Sequence, residues 1–292
     1  MTDTSVRKIH NFASNLLKLR NIGRPRHEAR LILSKVLKKN CLSLLINKNI
    51  FISQKKLKKF FKMIYFRCHG KPISRIYGVK EFYSRKFLIN KFTLDPRPDS
   101  EIIIETIKHF IFKLKKKKIK ILDLGTGTGC LLITLILELN KISNKKFLGV
   151  GLDLSTEALN IAKKNADRFK IKDSIRFIKS NWFENINEKF DIIISNPPYI
   201  PLKQIKNLES EVKDYDPFMA LNGGESGVHH YLEISKNAKF FLNKNSFLCV
   251  EIYSNNYKKI RDIFLADGFL QIGTFKDLNG SIRNIVFSLK KK

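Results

Sequence analysis

The chain has 292 residues, 43% of them hydrophobic, which is enough for one large or two ordinary globular domains. Its formal charge of +30 comes mostly from lysine, 43 against 13 arginines, and travels with abundant Ile, Asn and Phe, as in a compositionally biased genome, so the usual inference from a basic chain to nucleic acid is weak here. No uninterrupted apolar stretch approaches the roughly 20 residues that span a bilayer, and the N-terminus does not read as a signal peptide, so no membrane partner and a cytoplasmic location are expected.

Residues 5 to 20 place Val6, Ile9, Phe12, Ala13, Leu16 and Leu17 at helical spacing, and Asn21-Ile22-Gly23 ends that helix. Pro25 opens a second helix with Ala29, Ile32, Leu33, Val36 and Leu37 on one face. A third follows Ser53, a plausible N-cap, and carries Leu57, Phe60, Phe61, Ile64 and Tyr65. These stripes predict a small helical bundle over residues 1–75. From 76 to 95 the pattern changes to two short extended runs, Gly78 to Tyr83 and Lys86 to Ile89, read as a β-hairpin connecting two domains.

The segment Asp95-Pro96-Arg97-Pro98-Asp99-Ser100-Glu101 is held extended by its prolines. Asp99 or Ser100 can cap a helix over 101 to 114, and Arg97 is displayed as either an interdomain brace or a binding group. After a lysine linker at 115 to 118, strands and helices alternate in the manner of a parallel sheet covered on both faces. Strands are expected at 119–124, 147–152, 175–178, 190–195, 247–252, 269–275 and 283–289. Helices are expected at 130–139, after Ser155, at 226–241 and up to Ala266.

Four cysteines, Cys41, Cys68, Cys130 and Cys249, lie far apart in apolar surroundings and read as buried thiols, with no metal-ligand spacing. The histidines have no ligand-like company either, so no metal is expected.

Gly125-Thr126-Gly127-Thr128-Gly129 follows the first strand of this second domain and leads into a helix. Glycines there let backbone approach a ligand closely and aim a helix N-terminus at it. Asp153 ends the next strand 24 positions beyond Gly129, where a carboxylate can take both hydroxyls of a ribose. Together these predict a nucleoside cofactor, with NAD and S-adenosylmethionine both carrying adenosine. The GxGxG spacing, Asp123 as a partner for an ammonium group, and the site described next favour S-adenosylmethionine. Trp182, the only tryptophan, falls in the loop after the third strand, where an adenine would lie.

Asn196-Pro197-Pro198-Tyr199 follows the apolar strand 190–195. Two prolines make a stiff turn that presents one amide and one aromatic ring, a pair suited to a planar group bearing NH2. Such a nitrogen is a poor nucleophile because its lone pair is delocalised. Hydrogen bonds to the Asn196 side-chain oxygen and the Pro197 carbonyl, with the Tyr199 ring against its face, would aim that lone pair at a methyl donor, so transfer relies on proximity and orientation.

In Gly78 to Tyr83, Pro96 to Glu101, Asp123 to Gly129, Asn181-Trp182-Phe183, Asn196 to Tyr199, Asp216-Pro217, Ala220-Leu221, Gly223-Gly224, Asp277 to Gly280 and Arg283, the chain resembles the HemK/PrmC family of release factor N5-glutamine methyltransferases along nearly its whole length. The resemblance implies a class I (Rossmann-like), seven-stranded α/β methyltransferase domain at 96–292 behind a small helical substrate-recognition domain and the hairpin. It implies S-adenosylmethionine on Asp123, Gly125, Thr126, Gly127, Thr128, Gly129, Asp153, Asn181, Trp182 and Asn196. The glutamine amide of the GGQ motif of class 1 release factors would sit in Asn196, Pro197, Pro198 and Tyr199 with Arg97 nearby, on a monomeric enzyme that does not require nucleic acid. Two positions depart from the family: Asn181 stands where Asp is common, and Asp95 where an apolar residue is usual. A nucleic-acid methyltransferase acting on adenine N6 or guanine N2 through the same turn is the competing expectation. An NAD(P) oxidoreductase and a non-enzymatic RNA-binding module are weaker ones.

Overall fold

The computed structural model describes residues 5–46 and 51–290, and the chain divides into two compact units, one ending at Gly78 and the other beginning at Val79. The first unit is helical: α1 (Val6–Leu19), α2 (Pro25–Leu37), α3 (Cys41–Ile46), α4 (Gln54–Cys68) and α5 (Ile73–Tyr77). Ala13 and Leu17 of α1, Ala29 and Ile32 of α2, and Phe60 and Ile64 of α4 are buried in one core. The i, i+3 and i, i+4 spacing of these residues builds the three faces that meet there. A half-buried ion pair adds to the apolar contacts, with Arg67 Nε donating to Glu28 Oε2 at 2.5 Å and Nη2 to Oε1 at 3.2 Å. Ser53 stands at the N-cap of α4 with extended backbone, but its side chain makes no capping bond.

The second unit opens with a two-stranded antiparallel ribbon, β1 (Val79–Phe82) and β2 (Arg85–Leu88), and α6 (Glu101–Phe110) follows. The ribbon packs within this unit. Phe82 and Phe87 are buried in the same core as α6, and Asn165 exchanges hydrogen bonds with the Leu88 backbone, its Oδ1 accepting from Leu88 N at 2.8 Å and its Nδ2 donating to Leu88 O at 3.0 Å.

Then come β3 (Lys118–Leu124), α7 (Cys130–Ile142), β4 (Lys146–Asp153), α8 (Thr156–Arg168), β5 (Ile175–Lys179) and β6 (Phe190–Ser195). Three single-turn helices follow, α9 (Leu202–Ile205), α10 (Ser210–Lys213) and α11 (Phe218–Leu221). The chain closes with α12 (His229–Phe241), β7 (Leu242–Glu251), α13 (Tyr257–Ala266), β8 (Phe269–Lys276) and β9 (Ile282–Leu289).

The seven strands from β3 onward form one sheet in the order β5-β4-β3-β6-β7-β9-β8. Six run in one direction; β9 alone inserts antiparallel between β7 and β8, so the sheet expected as parallel is mixed at one edge. Alternation along the strands covers both faces: Ile192 and Ile194 pack toward α6 and α7, and Ile193 toward α12 and α13. The chain moves outward from β3 to β4 and β5, then returns to place β6 on the other side of β3. The crevice at the C-terminal ends of β3 and β6 is therefore the topological switch point, where ligands bind in open α/β sheets.

Several boundaries differ from the sequence reading. Lys118 opens β3 rather than closing a linker, and β7 starts at Leu242, five residues earlier than expected. The helix expected from 226 starts at His229, because Gly224 and Gly227, both with positive φ, form a turn before it. Of the four thiols expected to be buried, only Cys249 is; Cys41, Cys68 and Cys130 are half-buried.

Candidate active site

The loop after β3 is held by its own backbone. Thr126 N–H donates to Leu152 O and Gly129 N–H to Thr126 O, both at 2.8 Å. Gly125, Gly127 and Gly129 have φ of +71°, +55° and +76°, a region that favours glycine. Their roles then divide. A Cβ on Gly125 would meet nothing within 4 Å, and one on Gly127 would meet only Gly125 O at 4.0 Å, so these two residues line open space. A Cβ on Gly129 would come within 3.0 Å of Ile133 and 3.3 Å of Ala162, so this glycine lets α7 pack.

Beneath the loop Asp123 is fully buried. Its Oδ2 accepts from the Thr126 hydroxyl at 2.6 Å, while its Oδ1 accepts no hydrogen bond. Burial, and to a lesser degree the neighbouring Asp153, push its carboxyl up to about 7 against the opposing Thr126 bond. Asp153 ends β4 with each oxygen engaged once, Oδ2 by Gly127 N–H at 2.8 Å and Oδ1 by Ser155 N–H at 2.9 Å. A carboxylate has about four lone-pair sites, so acceptor capacity remains on both oxygens. Burial raises its pKa against the backbone donors. Thr128 is buried, and its carbonyl accepts from Asn165 Nδ2 at 2.9 Å, so one amide ties both β2 and the glycine loop to α8.

After β5, the Ser180 hydroxyl donates to Trp182 O at 2.8 Å and holds a tight turn in which Trp182 has φ of +48°. The indole lies 5.2 Å from the His230 ring. His230 was given no role by sequence reasoning, which saw only a histidine pair without ligand company. Its Nε2 lies 3.0 Å from Asn222 O, which makes that nitrogen the donor, and its buried Nδ1 has no partner. Burial lowers its pKa, in keeping with a neutral ring. The Asn181 amide donates to Glu184 Oε1 at 2.7 Å.

At the end of β6, Ser195 Oγ donates to Leu124 O at 2.9 Å and joins the two loops of the switch point. Asn196 Nδ2 donates to Ser100 Oγ at 2.9 Å. Ser100, expected with Asp99 as one of two cap candidates, makes no capping bond; its hydroxyl serves Asn196 instead. The Tyr199 ring stacks beside Tyr253, with centroids 6.4 Å apart and planes 8° apart, and burial raises its pKa. The backbone after the turn is clamped, with Ile200 N–H donating to Leu221 O at 3.1 Å and Gly223 N–H to Ile200 O at 2.8 Å. Gly223 permits this approach, since a Cβ there would lie 2.7 Å from Tyr199 Cα. Arg97 pairs with Asp216, whose other oxygen accepts from Asp95 N–H at 3.3 Å. The PRPDS segment thus braces the chain downstream of the turn, and Asp95 is buried in that brace.

A cavity of about 700 Å³ joins these parts. Gly125, Gly127, Asp153, Asn181, Trp182, Asn196 and Pro198 line it, with Phe218, Met219 and His230 completing the wall. Asp123, Thr126, Thr128 and Gly129 support the loop from behind, and Arg97, Pro197 and Tyr199 are not on this wall. Among the described residues no group of three or more His, Cys, Asp or Glu could hold a metal ion.

Residues 115–263 match a methyltransferase domain family and residues 8–78 the PrmC N-terminal domain. A release factor glutamine methyltransferase of Buchnera aphidicola subsp. Schizaphis graminum is 39% identical over 94% of this chain and 96% of its own length. One of Agrobacterium fabrum is 35% identical over 94% of each chain. A bifunctional methyltransferase of Rickettsia conorii is 35% identical over 97% of this chain, which spans only 58% of that protein. Among solved structures, the hMettl16 catalytic domain in complex with MAT2A 3'UTR hairpin 6 aligns with a TM-score of 0.53 over 70% of this chain and 76% of that one, at 14% identity, a likeness of fold alone. From the near full-length relatives and the matched N-terminal domain, the chain belongs to the release factor glutamine methyltransferase family.

Proposed function

We propose that this chain transfers a methyl group from S-adenosylmethionine to the side-chain amide nitrogen of the glutamine in the GGQ motif of class 1 release factors. The observation that carries the reading is the meeting of two sites in one cavity: the glycine loop with Asp153 on one wall, and Asn196 and Pro198 on another. Family membership supports a glutamine amide over a nucleic-acid base as the planar group, because the N-terminal residues match a PrmC domain.

The residues fit the donor. Gly125 and Gly127 leave a backbone cradle open, and the spare acceptor capacity of Asp153 suits ribose hydroxyls. The unpartnered, buried Oδ1 of Asp123 favours a cationic group near the loop. Trp182 offers an apolar face for an adenine, with Asn181 at its edge. When bound, S-adenosylmethionine supplies a methyl group on a positively charged sulfur.

The chain's own residues do the rest by positioning. The Asn196 side-chain oxygen and the Pro197 carbonyl accept from the glutamine NH2, which holds its nitrogen lone pair toward the cofactor side of the cavity. Tyr199 packs on the flat amide face, and its raised pKa keeps it a neutral ring in the working range. Arg97 acts through Asp216 by fixing the segment behind the turn. No general base is required, since the product amide can lose its extra proton to water, and effective molarity supplies the rate.

The helical unit serves as the substrate-recognition domain in this reading, and the enzyme works as a cytoplasmic monomer. Among the described residues no helix is long and apolar enough to cross a membrane. Purified protein with methyl-labelled S-adenosylmethionine is expected to label a class 1 release factor but not the same factor with its GGQ glutamine replaced. Label in ribosomal RNA or DNA in place of the factor would overturn the reading.

A further inference from the structure

Glu251 ends β7 beside the turn. Val250 pairs with Ser195 in the parallel ladder, so the next residues on the two strands, Glu251 and Asn196, lie side by side at the C-terminal edge of the sheet. Glu251 is 2% exposed, and its Oε2 accepts no hydrogen bond. Ser100 and Asn196 lie close enough to its carboxyl to work against the rise in its pKa, and Asn196 Nδ2 donates to Ser100 Oγ at 2.9 Å. The Asn196 amide nitrogen is thereby turned toward Ser100, on the side where Glu251 lies. What the side chain has left to offer a ligand is Oδ1, an acceptor.

An asparagine amide has two orientations that exchange a donor for an acceptor at the same place. Only one of them receives an NH2 group. Shape does not choose between them, but an ionised carboxylate does, because it can only accept and so draws the amide nitrogen toward itself. We propose that Glu251, with Ser100, is a positioning residue for methyl transfer, holding the Asn196 amide with its nitrogen inward and its oxygen toward the substrate. This rests on the glutamine reading above and deepens it. It also gives Ser100 of the PRPDS segment a purpose other than capping.

The protonation state of Glu251 matters to this role. A neutral carboxyl carries a donor of its own and can satisfy Asn196 Oδ1, so the selection is lost when Glu251 is protonated. Burial pushes its carboxyl up to about 7, Asp99 adds to the rise, and Ser100, Arg283 and Asn196 oppose it. The other groups facing it are Tyr199, the Cys249 thiol on its own strand, and Tyr231 of α12, whose hydroxyl donates to Glu251 O at 2.8 Å. Arg283 is itself paired with Asp99 at 3.0 Å and Asp277 at 2.8 Å.

The test compares wild type with Glu251→Gln, Glu251→Ala and Ser100→Ala for kcat and KM on a release factor on both sides of pH 7. Cofactor affinity is read by calorimetry and folding by circular dichroism on the same samples. Wild-type kcat is expected to rise with pH through about 7. Glu251→Ala is expected to lower kcat about 100-fold, as misplacement of a reacting group does. Glu251→Gln, which can present either an oxygen or an NH2 to Asn196, should lose about tenfold and show no acid limb; Ser100→Ala should lose a similar factor. Cofactor affinity and KM should stay within about twofold in each folded variant, since the residues act on orientation rather than binding.

Glu251→Gln with wild-type kcat and an unchanged acid limb overturns the proposal. So does a loss that appears only as weaker cofactor binding or a smaller folded fraction. If Glu251→Ala fails to fold, the Gln and Ser100 variants decide alone. Absence of wild-type transfer to the GGQ glutamine is a different failure: it removes the functional reading, and this inference with it.

Discussion

The two halves of the site are built in opposite ways. The cofactor half comes from consecutive strand ends: β3, its glycine loop and β4 supply Asp123 to Gly129 and Asp153 within a short span of chain. Its bonds are mostly between backbone groups or between residues a few positions apart. The target half, around Asn196, is assembled from distant segments. Ser100 lies 96 positions away, Arg97 reaches Asp216 across 119, and Glu251 arrives on another strand. The first half is a local motif that any sheet of this topology can display. The second exists only once the whole unit has folded, so it is the half more readily upset by remote substitutions.

The sharpest way to break this comparison is Asn196→Ala. Turnover is expected to fall at least about 100-fold, with cofactor affinity changed by no more than about threefold, since Asn196 lies on the target wall. Single-turnover kinetics and calorimetry on one preparation check both numbers. Equal losses in both would mean that the two halves are one site.

Asn165→Ala tests the support behind the cofactor half. It leaves the Leu88 and Thr128 backbone groups without partners inside the protein. A stability loss of about 1–3 kcal/mol is expected in urea unfolding, along with weaker cofactor binding but unchanged kcat at saturation. Gly127→Ala is smaller and more local. The Cβ would enter the open cradle from a residue at φ of +55°, and the strain of about 1–2 kcal/mol should appear as a roughly tenfold higher cofactor Kd. Gly129→Ala sharpens the contrast, because its Cβ would press on Ile133 and Ala162 and cost stability first.

A weaker effect is expected from pH. Asp123 ordinarily titrates near 3.8, and burial raises it to about 7 in the folded chain. The folded state then holds this proton more tightly than the unfolded one, so the contribution to stability is fully present below about pH 4 and is lost as pH rises through about 7. Glu251 acts in the same direction from its ordinary 4.5. Asp123→Asn should flatten part of that decline in urea titrations across this window, and an unchanged slope would contradict the assignment.

How much was legible follows from the same contrast. The Ile-rich run of β6 and the glycine loop announce themselves through residue type and spacing, and both fell where expected. The alternation of β and α segments was enough for the seven-stranded sheet, though not for the antiparallel insertion of β9, whose run reads the same in either direction. Ser100 looked like a cap because capping is what a serine before a helix commonly does locally. Its actual partner is set by tertiary contact, which no periodicity records. His230 was passed over for the same reason, since only folding sets its ring beside Trp182. Arg97 was read as an interdomain brace or a binding group; its ion pair is with Asp216 of the same unit, a partner 119 positions away that no local pattern records.

The most direct test of the central claim is to locate the new methyl group. Fragment mass spectrometry of a class 1 release factor, after incubation with this protein and S-adenosylmethionine, is expected to place one methyl on the side-chain nitrogen of the GGQ glutamine, and Asn196→Ala is expected to leave that peptide unmodified. A methyl group on any other residue, or the same modification with Asn196→Ala at wild-type rate, would contradict the account.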